Sequence, residues 1–213
     1  MPPSRLPAAR SDAPVPANRL VLATGNAGKL RELRALLEGL PLRPEPLSAF
    51  DVESPDETGS TFLDNALLKA RHAARATGAA VIADDSGLEV DALGGAPGVW
   101  SARYAGPQAD DAANNAKLVA ALAAVPQAAR TARYRCVLVY LSEPEAEPLV
   151  AEGVWEGTIV AAPRGAGGFG YDPHFWLPAL GLTAAELAPG EKNRISHRAI
   201  ALRALRAALE RRL

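Results

Sequence analysis

Two neighbouring carboxylates follow a short apolar run near the middle of the sequence. The run 81–83 leads directly into Asp84 and Asp85, and Gly87 follows. This order is typical of a buried strand that ends at acidic side chains before a glycine turn. Because successive strand residues point to opposite faces, we expect Asp84 and Asp85 to serve different purposes. Such carboxylates suit a hard divalent cation such as Mg²⁺, although an acidic turn that caps a helix explains the pair alone equally well.

A lysine-bearing turn follows the first predicted strand. Apolar residues 20–23 form that strand and leucines at helical spacing follow, with six residues between them: Thr24, Gly25, Asn26, Ala27, Gly28 and Lys29. The backbone N–H groups of such a helix start and the lysine ammonium would all face an anion, as in a phosphate-binding turn. The glycine spacing is too short for a P-loop. An ordinary strand-to-helix turn with a surface lysine is the alternative.

A second lysine lies in a predicted helix that has clear end signals. Ser60 or Thr61 could cap this helix, which covers about 62–77. Lys69 lies within it, and Glu57 lies shortly before it. Solvated surface charge is the ordinary expectation for such residues.

Between the acidic pair and the glycine-rich loop, the sequence predicts one further helix and several sheet strands. The helix covers about 110–124, and strands are expected at 133–141 and 149–154, with 155–160 continuing the sheet.

A glycine-rich loop comes next and formally matches the dinucleotide-binding fingerprint. We reject that function because Pro173, rather than an apolar helix, follows the loop 165–170. The loop presents Phe169, Tyr171 and Asp172, which would suit a flat ligand with an aromatic ring for stacking. A flexible surface loop is the alternative.

A basic segment leads the last predicted helix. In 191–198 the residues His197 and Arg198 fall in the first helical turn. Cations there oppose the helix dipole unless an anionic or hydrogen-bonding ligand is present. A basic helix face in solvent is the commoner explanation.

Composition limits the class of protein. The chain has 213 residues, 48% of them hydrophobic, and a formal net charge of −1. This balance gives no electrostatic case for nucleic acid or an anionic membrane, and a single cysteine, Cys136, excludes a disulfide framework. No apolar run approaches the roughly 18 residues of a membrane span, and 1–18 lacks the apolar centre of a signal peptide. We therefore expect a soluble cytoplasmic protein with a flexible tail over 1–18, and over 19–213 either one large domain or two lobes around a shared core.

Six motifs, in this order, resemble one enzyme family. ATGNAGK, DETGSTFLDNALLKA, ADDSG, GGAPG, GGFGYD and EKNRISHRA are similar to the non-standard purine nucleoside triphosphate pyrophosphatases, from about Leu20 to the C-terminus. The resemblance implies an α/β fold of two lobes around a long central mixed sheet flanked by helices, usually as a homodimer. It also implies Mg²⁺-dependent hydrolysis of ITP, dITP or XTP to the monophosphate and pyrophosphate.

The same resemblance implies roles for particular residues. Asp85 would accept the proton and bind the metal with Glu57, Asp84 would lie close by, and Lys69 would be a second cation for the triphosphate. The positions that match substrate-binding residues of the family are Thr24, Gly25, Asn26, Ala27, Gly28, Lys29, Ser86, Phe169, Gly170, Tyr171, Asp172, Lys192, His197 and Arg198.

Hydrogen bonding at the 6-position of the purine gives a physical explanation for selection of the base. Hypoxanthine and xanthine carry a 6-oxo acceptor where adenine carries an amino donor. Donors from Lys192, His197, Arg198 or local backbone N–H groups would therefore face adenine donor against donor, and each unpaired buried group costs roughly 1–3 kcal/mol.

Three other functions are weighed beside this one. They are a nucleotide sensor without turnover, a nucleic-acid-binding module that uses the last helix, and a pyrophosphatase for modified pyrimidine triphosphates. The acidic pair with two lysines disfavours the sensor, and the near-zero net charge disfavours nucleic acid. A substrate panel would separate purine from pyrimidine substrates.

Overall fold

A mixed seven-stranded sheet forms the centre of the molecule. The computed structural model describes residues 18–211. The strands are β1 (Arg19–Ala23), β2 (Arg43–Pro46), β3 (Ala80–Val90), β4 (Thr131–Leu141), β5 (Leu149–Ile159), β6 (Phe175–Leu177) and β7 (Leu182–Thr183). Their order is β2-β1-β3-β4-β5-β6-β7. The pairs of β1 with β2 and β3 are parallel, and the other neighbouring pairs are antiparallel. This arrangement confirms the expected α/β fold with a mixed sheet.

Helices cover both faces of this sheet. They are α1 (Ala27–Leu37), α2 (Phe62–Thr77), α3 (Asp111–Ala121), α4 (Pro189–Ile195) and α5 (His197–Glu210). Leu20 and Ile82 pack with α1 and α5 in one apolar cluster, whereas Val21 and Val81 pack with α2 in another. Since neighbouring strand residues face opposite ways, these clusters lie on opposite faces of the sheet. A third cluster, which includes Leu88 and residues of α3, covers the far end of β3.

The strand that carries the two carboxylates does not end there. The expectation that 81–83 stops at Asp84 and turns at Gly87 is wrong. β3 continues to Val90, and Asp84 and Asp85 lie opposite Leu138 and Val137 in the antiparallel ladder with β4. Polar side chains can interrupt a buried strand when charged groups pair with them, as Lys29 and Arg198 pair with Asp84 and Lys69 pairs with Asp85.

The position of Gly87 requires a residue without a side chain, although the chain does not turn there. A Cβ atom at this position would lie 2.5 Å from the carbonyl oxygen of Gly98. The glycine therefore lets the segment after β3 pass close against the strand.

Several predicted boundaries differ from those of the structure. α3 is shorter than the expected 110–124, and β5 is one continuous strand rather than two segments. The last helix is also divided, because Ser196 ends α4 and its hydroxyl caps α5 by accepting from the Ala199 N–H at 3.3 Å. By contrast, α2 begins and ends as predicted, with Thr61 in a capping box and Gly78 in the left-handed region.

The predicted tail and domain limits are only partly covered by the structure. Residues 1–17 of the predicted tail and 212–213 lie outside the described residues. Asn18 belongs to the folded part, because its carbonyl accepts a hydrogen bond from the Arg43 N–H at 2.8 Å. Across 18–211, no helix has both the length and the apolar character needed to cross a bilayer.

Candidate active site

Asp84 lies beneath the site and anchors two cations. Its carboxylate is fully buried and lies 2.8 Å from both Lys29 Nζ and Arg198 Nε. The Ser86 hydroxyl donates to it at 3.0 Å and the Cys136 thiol at 3.3 Å. Burial alone would raise the pKa of Asp84, but Arg198 and Lys29 outweigh burial and hold that pKa well below its ordinary value. Asp84 is thus an ionised anchor with its oxygen atoms already occupied.

Asp85 contacts a different set of groups. Lys69 Nζ lies 2.7 Å from Asp85 Oδ1 and 2.6 Å from Glu57 Oε1, and the Asn65 amide donates to Asp85 Oδ2 at 3.4 Å. Burial raises the pKa of Asp85 despite the nearby positive charges of Lys29 and Lys69. Burial also opposes ionisation of Lys69, but the two carboxylates raise its pKa above the ordinary value. The two aspartates therefore face different cations, as the strand alternation predicts.

Asn65 and Lys69 reach Asp85 from one face of α2, where their spacing of four residues aligns them. Asn65 is fully buried, and its Oδ1 accepts from the Gly59 N–H at 2.7 Å. This bond ties the segment before α2, which carries Glu57, to the helix. The pKa of Glu57 is lowered, since the Lys69 charge and hydrogen bond outweigh its burial.

The lysine-bearing turn 24–29 borders a cavity that Glu57, Lys69 and Asp85 also line. Asn26 caps α1 by accepting from the Lys29 N–H at 3.0 Å, and Thr24 accepts from the Asn26 N–H at 3.2 Å. The cavity has a volume of about 320 Å³, and its lining includes Thr24, Gly25, Asn26, Lys29, Glu57, Lys69, Asp85, Ser86 and Arg103. Cations, carboxylates and a helix N-terminus therefore meet around one space.

A second cavity adjoins the first and has an aromatic wall. Its volume is about 140 Å³, and it shares Asn26, Lys29 and Ser86 with the first cavity. The other predicted residues in its lining are Phe169, Gly170, Tyr171, Asp172, Lys192, His197 and Arg198. A ligand with one flat end and one anionic end could therefore occupy both cavities.

His197 is a neutral side chain in the second cavity. Its ring is buried and lies parallel to the Tyr134 ring, with 4.7 Å between the centroids. Burial, with the charges of Arg198 and Lys192, holds the pKa of His197 well below its ordinary value. Within residues 18–211, no group forms a hydrogen bond with its Nδ1 atom, which is enclosed by the protein. This nitrogen is therefore an unpaired buried group, and the His197 ring lines the cavity through its other atoms.

Asp172 holds the lysine of this cavity. Its carboxylate is buried and accepts from the Tyr134 hydroxyl at 3.1 Å, from the Phe169 N–H at 3.0 Å and from Lys192 Nζ. Burial raises the pKa of Asp172 although Lys192 acts against this rise. Lys192 Nζ also lies 2.9 Å from a carboxylate oxygen of Glu32. These contacts allow Asp172 to orient Lys192 and the Phe169 backbone.

Glu32 is a residue that the sequence reasoning missed. Its carboxylate forms ion pairs with both Lys192 and Arg198, and so connects α1 to α4 and α5. It follows Lys29 by three positions on α1, which places both side chains on one helix face. That spacing is the signal that could have identified it.

The Phe169 ring closes the second cavity against α1. Lys192 Nζ lies 4.8 Å from the ring centroid, and a Cβ atom on Gly28 would lie 2.6 Å from the ring. Gly28 therefore allows α1 and the Phe169 ring to approach closely. The adjoining Gly170 is held by α3, since its N–H donates to Asp111 at 2.6 Å and its carbonyl accepts from Asn115 at 2.8 Å.

Three predicted residues line neither cavity. Ala27 and Gly28 form the start of α1 behind the lining, and Asp84 lies below it. Tyr171 reaches the second cavity, but its hydroxyl donates to the Ser101 carbonyl at 2.7 Å. Besides Glu32, the residues that the sequence reasoning did not assign are Asn65, Arg103, Asp111, Asn115 and Tyr134.

Comparison with known proteins identifies this arrangement. A sequence model of the Ham1 family matches residues 20–208. The chain belongs to the Ham1 family. It is 59% identical over 187 residues to the dITP/XTP pyrophosphatase of Xanthomonas oryzae pv. oryzae. This alignment covers 87% of this chain and 94% of the relative.

Solved structures of Ham1 proteins share the fold. The HAM1 protein of Coxiella burnetii aligns with a TM-score of 0.83 and 48% identity over 91% of this chain and 98% of its own. The nucleoside-triphosphatase, or dITP/XTP pyrophosphatase, of Mycobacterium abscessus aligns with a TM-score of 0.70 and 46% identity, over 88% and 98%. The Ham1 match spans the residues of both cavities.

Proposed function

We propose that this chain hydrolyses the non-standard purine nucleoside triphosphates dITP, ITP and XTP to the monophosphate and pyrophosphate, which cleanses the nucleotide pool. The observation that carries the proposal is the pair of adjoining cavities, one with cations and carboxylates and one with an aromatic wall. A relative that is 59% identical is named a dITP/XTP pyrophosphatase. Since such substrates are cytoplasmic, we propose the same location for the protein.

The triphosphate would occupy the first cavity. Attack on the α-phosphorus brings a nucleophile towards about four negative charges, so their neutralisation is the largest catalytic requirement. Lys29, Lys69 and the N-terminus of α1 supply fixed positive charge there.

Glu57 and Asp85 would hold a magnesium ion. One oxygen of each already contacts Lys69 Nζ, at 2.6 and 2.7 Å, so the two carboxylates lie close together, and the ion would be held beside the ammonium group rather than in its place. Within 18–211, no three His, Cys, Asp or Glu side chains form a metal-binding group. Two carboxylates suit Mg²⁺, which typically completes its shell with substrate phosphates and water. Bound there, Mg²⁺ would supply further stabilisation of the developing phosphate charge.

Asp85 is the proposed proton acceptor for the attacking water. Its carboxylate lines the first cavity, where it can accept a proton from a water molecule beside the triphosphate. Asp84 is unsuited to this role because Lys29 and Arg198 hold it ionised with a lowered pKa. We assign to Asp84 the positioning of those two cations.

The base would occupy the second cavity beside Phe169. Donors of Lys192 and Arg198 would meet the 6-oxo group, and the neutral His197 ring would line the cavity beside the base. An adenine amino group would leave these buried donors unpaired, at a cost of roughly 1–3 kcal/mol each. Glu32 and Asp172 support this selection because they orient Lys192.

The decisive experiment is a substrate panel with and without Mg²⁺. We expect pyrophosphate release from dITP, ITP and XTP with Mg²⁺, little release from ATP, and none with EDTA. A single stoichiometric burst without turnover would instead indicate a sensor. Faster release from modified pyrimidine triphosphates than from any purine would replace the proposed substrate class.

The chain is also proposed to act as a homodimer. The face of β5 that points away from α5 exposes Val150 and Val154, and the nearby Trp100 is 56% exposed. Arg135 and Glu152 form an ion pair of 2.9 Å on the same face. A surface with apolar residues and charges of both signs can pair with a second copy of itself through a two-fold axis.

A further inference from the structure

Arg103 borders the phosphate cavity beside Lys29 and Lys69. It ends the short 3₁₀ segment Gly98–Arg103, which follows β3 in the chain. One terminal nitrogen donates to the Glu57 carboxylate at 3.3 Å, and the other donates to the Glu57 carbonyl at 3.0 Å. Its guanidinium also lies 4.5 Å from the centroid of the exposed Trp100 ring.

The backbone beside Arg103 is fixed by buried groups. The Ser101 hydroxyl accepts from the Leu88 N–H of β3 at 2.9 Å, and the Ser101 carbonyl accepts from Tyr171 at 2.7 Å. The carbonyl immediately before Arg103 accepts from Asn114 of α3 at 3.1 Å. The backbone at Arg103 is therefore held by β3, by α3 and by Tyr171. None of these contacts involves the Arg103 side chain.

The Arg103 side chain is more exposed than that of Lys69, and its carboxylate contact is longer than those of Lys29 and Lys69. Lys69 has two carboxylate contacts of 2.6 and 2.7 Å and is 5% exposed, and Lys29 lies 2.8 Å from the buried Asp84. The Arg103 side chain is 30% exposed, and its carboxylate contact is the longer 3.3 Å. Guanidinium has five donors in a planar fork, so donors are left for a phosphate.

We propose that Arg103 binds the terminal phosphates of the substrate and stabilises the leaving pyrophosphate. This inference rests on the proposed function and adds a cation to it. The oxygen of water forms a bond to the α-phosphorus while the bond from that phosphorus to the α–β bridging oxygen breaks. The bridging oxygen keeps the electron pair and leaves with pyrophosphate, and the water proton passes to Asp85. A guanidinium fork pairs with two phosphate oxygens at once, which suits the charge that gathers on the leaving group.

The proposal predicts that Arg103 distinguishes ligands by their phosphates and not by their base. Inorganic pyrophosphate carries only the part that Arg103 would bind, and inosine monophosphate carries only the part that it would not. A purely structural role for Arg103 would weaken both ligands together. This contrast needs no catalysis and no metal.

The test compares Arg103→Gln with a matched variant, Arg164→Gln. Arg164 also lies over a tryptophan, 4.9 Å from the Trp176 centroid, and pairs with Glu186 at 3.2 Å, outside both cavities. In EDTA, calorimetry should show pyrophosphate binding weakened about tenfold to a hundredfold in Arg103→Gln, with inosine monophosphate binding unchanged. Arg164→Gln should match the parent protein for both ligands. With Mg²⁺, kcat/KM of Arg103→Gln should fall by a similar factor for dITP and XTP.

Each other outcome has a defined meaning. Unchanged pyrophosphate affinity, or equal loss for both ligands, would overturn the role of Arg103. If Arg103→Gln does not fold, the same comparison is made with Arg103→Lys, which keeps the charge but loses the fork and should show a smaller selective loss of pyrophosphate affinity. A parent protein that binds pyrophosphate through Arg103 but releases none from dITP would refute the proposed function and Arg103's role towards the leaving group, and would leave only its phosphate-binding role standing.

Discussion

Two adjacent aspartates differ because their surroundings differ. Both are buried, and burial raises the pKa of each, but Asp84 has Arg198 and Lys29 within 2.8 Å. Asp85 shares Lys69 with Glu57, so burial prevails and the pKa of Asp85 rises. One residue is therefore suited to hold charges in place and the other to exchange a proton.

The first prediction concerns Asp85→Asn. The amide keeps the shape and cannot accept the proton of water, so turnover of dITP should fall about 10²–10⁴-fold. Binding of inosine monophosphate, followed by calorimetry, should persist. Turnover equal to that of the parent protein would exclude Asp85 as the proton acceptor.

The second prediction concerns Asp84→Asn. This change leaves Arg198 and Lys29 without their buried carboxylate, so the free energy of unfolding should fall by about 3–5 kcal/mol. The pKa of Asp84 is lower in the fold than in the unfolded chain. Its contribution to stability is therefore present above the unfolded pKa and is lost as pH falls through the folded pKa. Urea unfolding at several pH values should show this acid dependence in the parent protein and a weaker one in the variant.

The third prediction concerns the protonation of His197. Its lowered pKa means that the native ring stays neutral at pH values where the unfolded ring is charged. NMR of the ring nitrogens should show neutral His197 at pH values where an ordinary histidine is protonated, and base affinity should not titrate with an ordinary histidine pKa. Since only the unfolded state gains this proton, His197 lowers stability as pH falls below the unfolded pKa. A titration of native His197 at an ordinary value would contradict this assignment.

At the scale of elements, α1 and the glycine-rich loop meet at Gly28. We predict that Gly28→Ala forces the Phe169 ring away, because the new Cβ would lie 2.6 Å from it. Overpacking of this kind costs about 1–3 kcal/mol, so inosine monophosphate affinity should fall about tenfold. Alanine is the better helix former, so the thermal midpoint should change little. Gly190→Ala is the control, because no atom lies within 4 Å of a Cβ there. Equal affinity in both variants would refute the contact.

Elements with local signals could be predicted from the sequence. The cap at Thr61, the stop at Gly78 and the turn before Lys29 each follow from neighbouring residues, and the structure has them. The continuation of β3 could not be predicted in this way, because the partners that satisfy Asp84 lie on α1 and α5, far away in sequence. The spacing of Glu32 from Lys29 is a local signal, but its pairing could not be predicted, since its partners Lys192 and Arg198 lie near the other end of the chain.

At the scale of the whole molecule, the site occupies a gap between apolar clusters. Along β3, Ile82 belongs to the cluster of α1 and α5, and Leu88 belongs to the cluster at the far end. Asp84 and Ser86 lie between them on the same face of the strand. β3 therefore runs under both apolar clusters and carries polar side chains in the gap between them. Any change in how these clusters pack would alter the cavities between them.

The last prediction concerns assembly. If the outer face of β5 forms a two-fold interface, then Val154→Glu places two like charges close to each other and should shift the dimer towards monomer by at least about tenfold in the dissociation constant. Sedimentation velocity over a range of concentrations measures this shift. Leu180→Glu is a matched control, because Leu180 is 45% exposed but lies between β6 and β7, away from that face. A parent protein that is monomeric, or a Val154→Glu variant with the sedimentation of the parent dimer, would show that a different surface, or none, joins the copies.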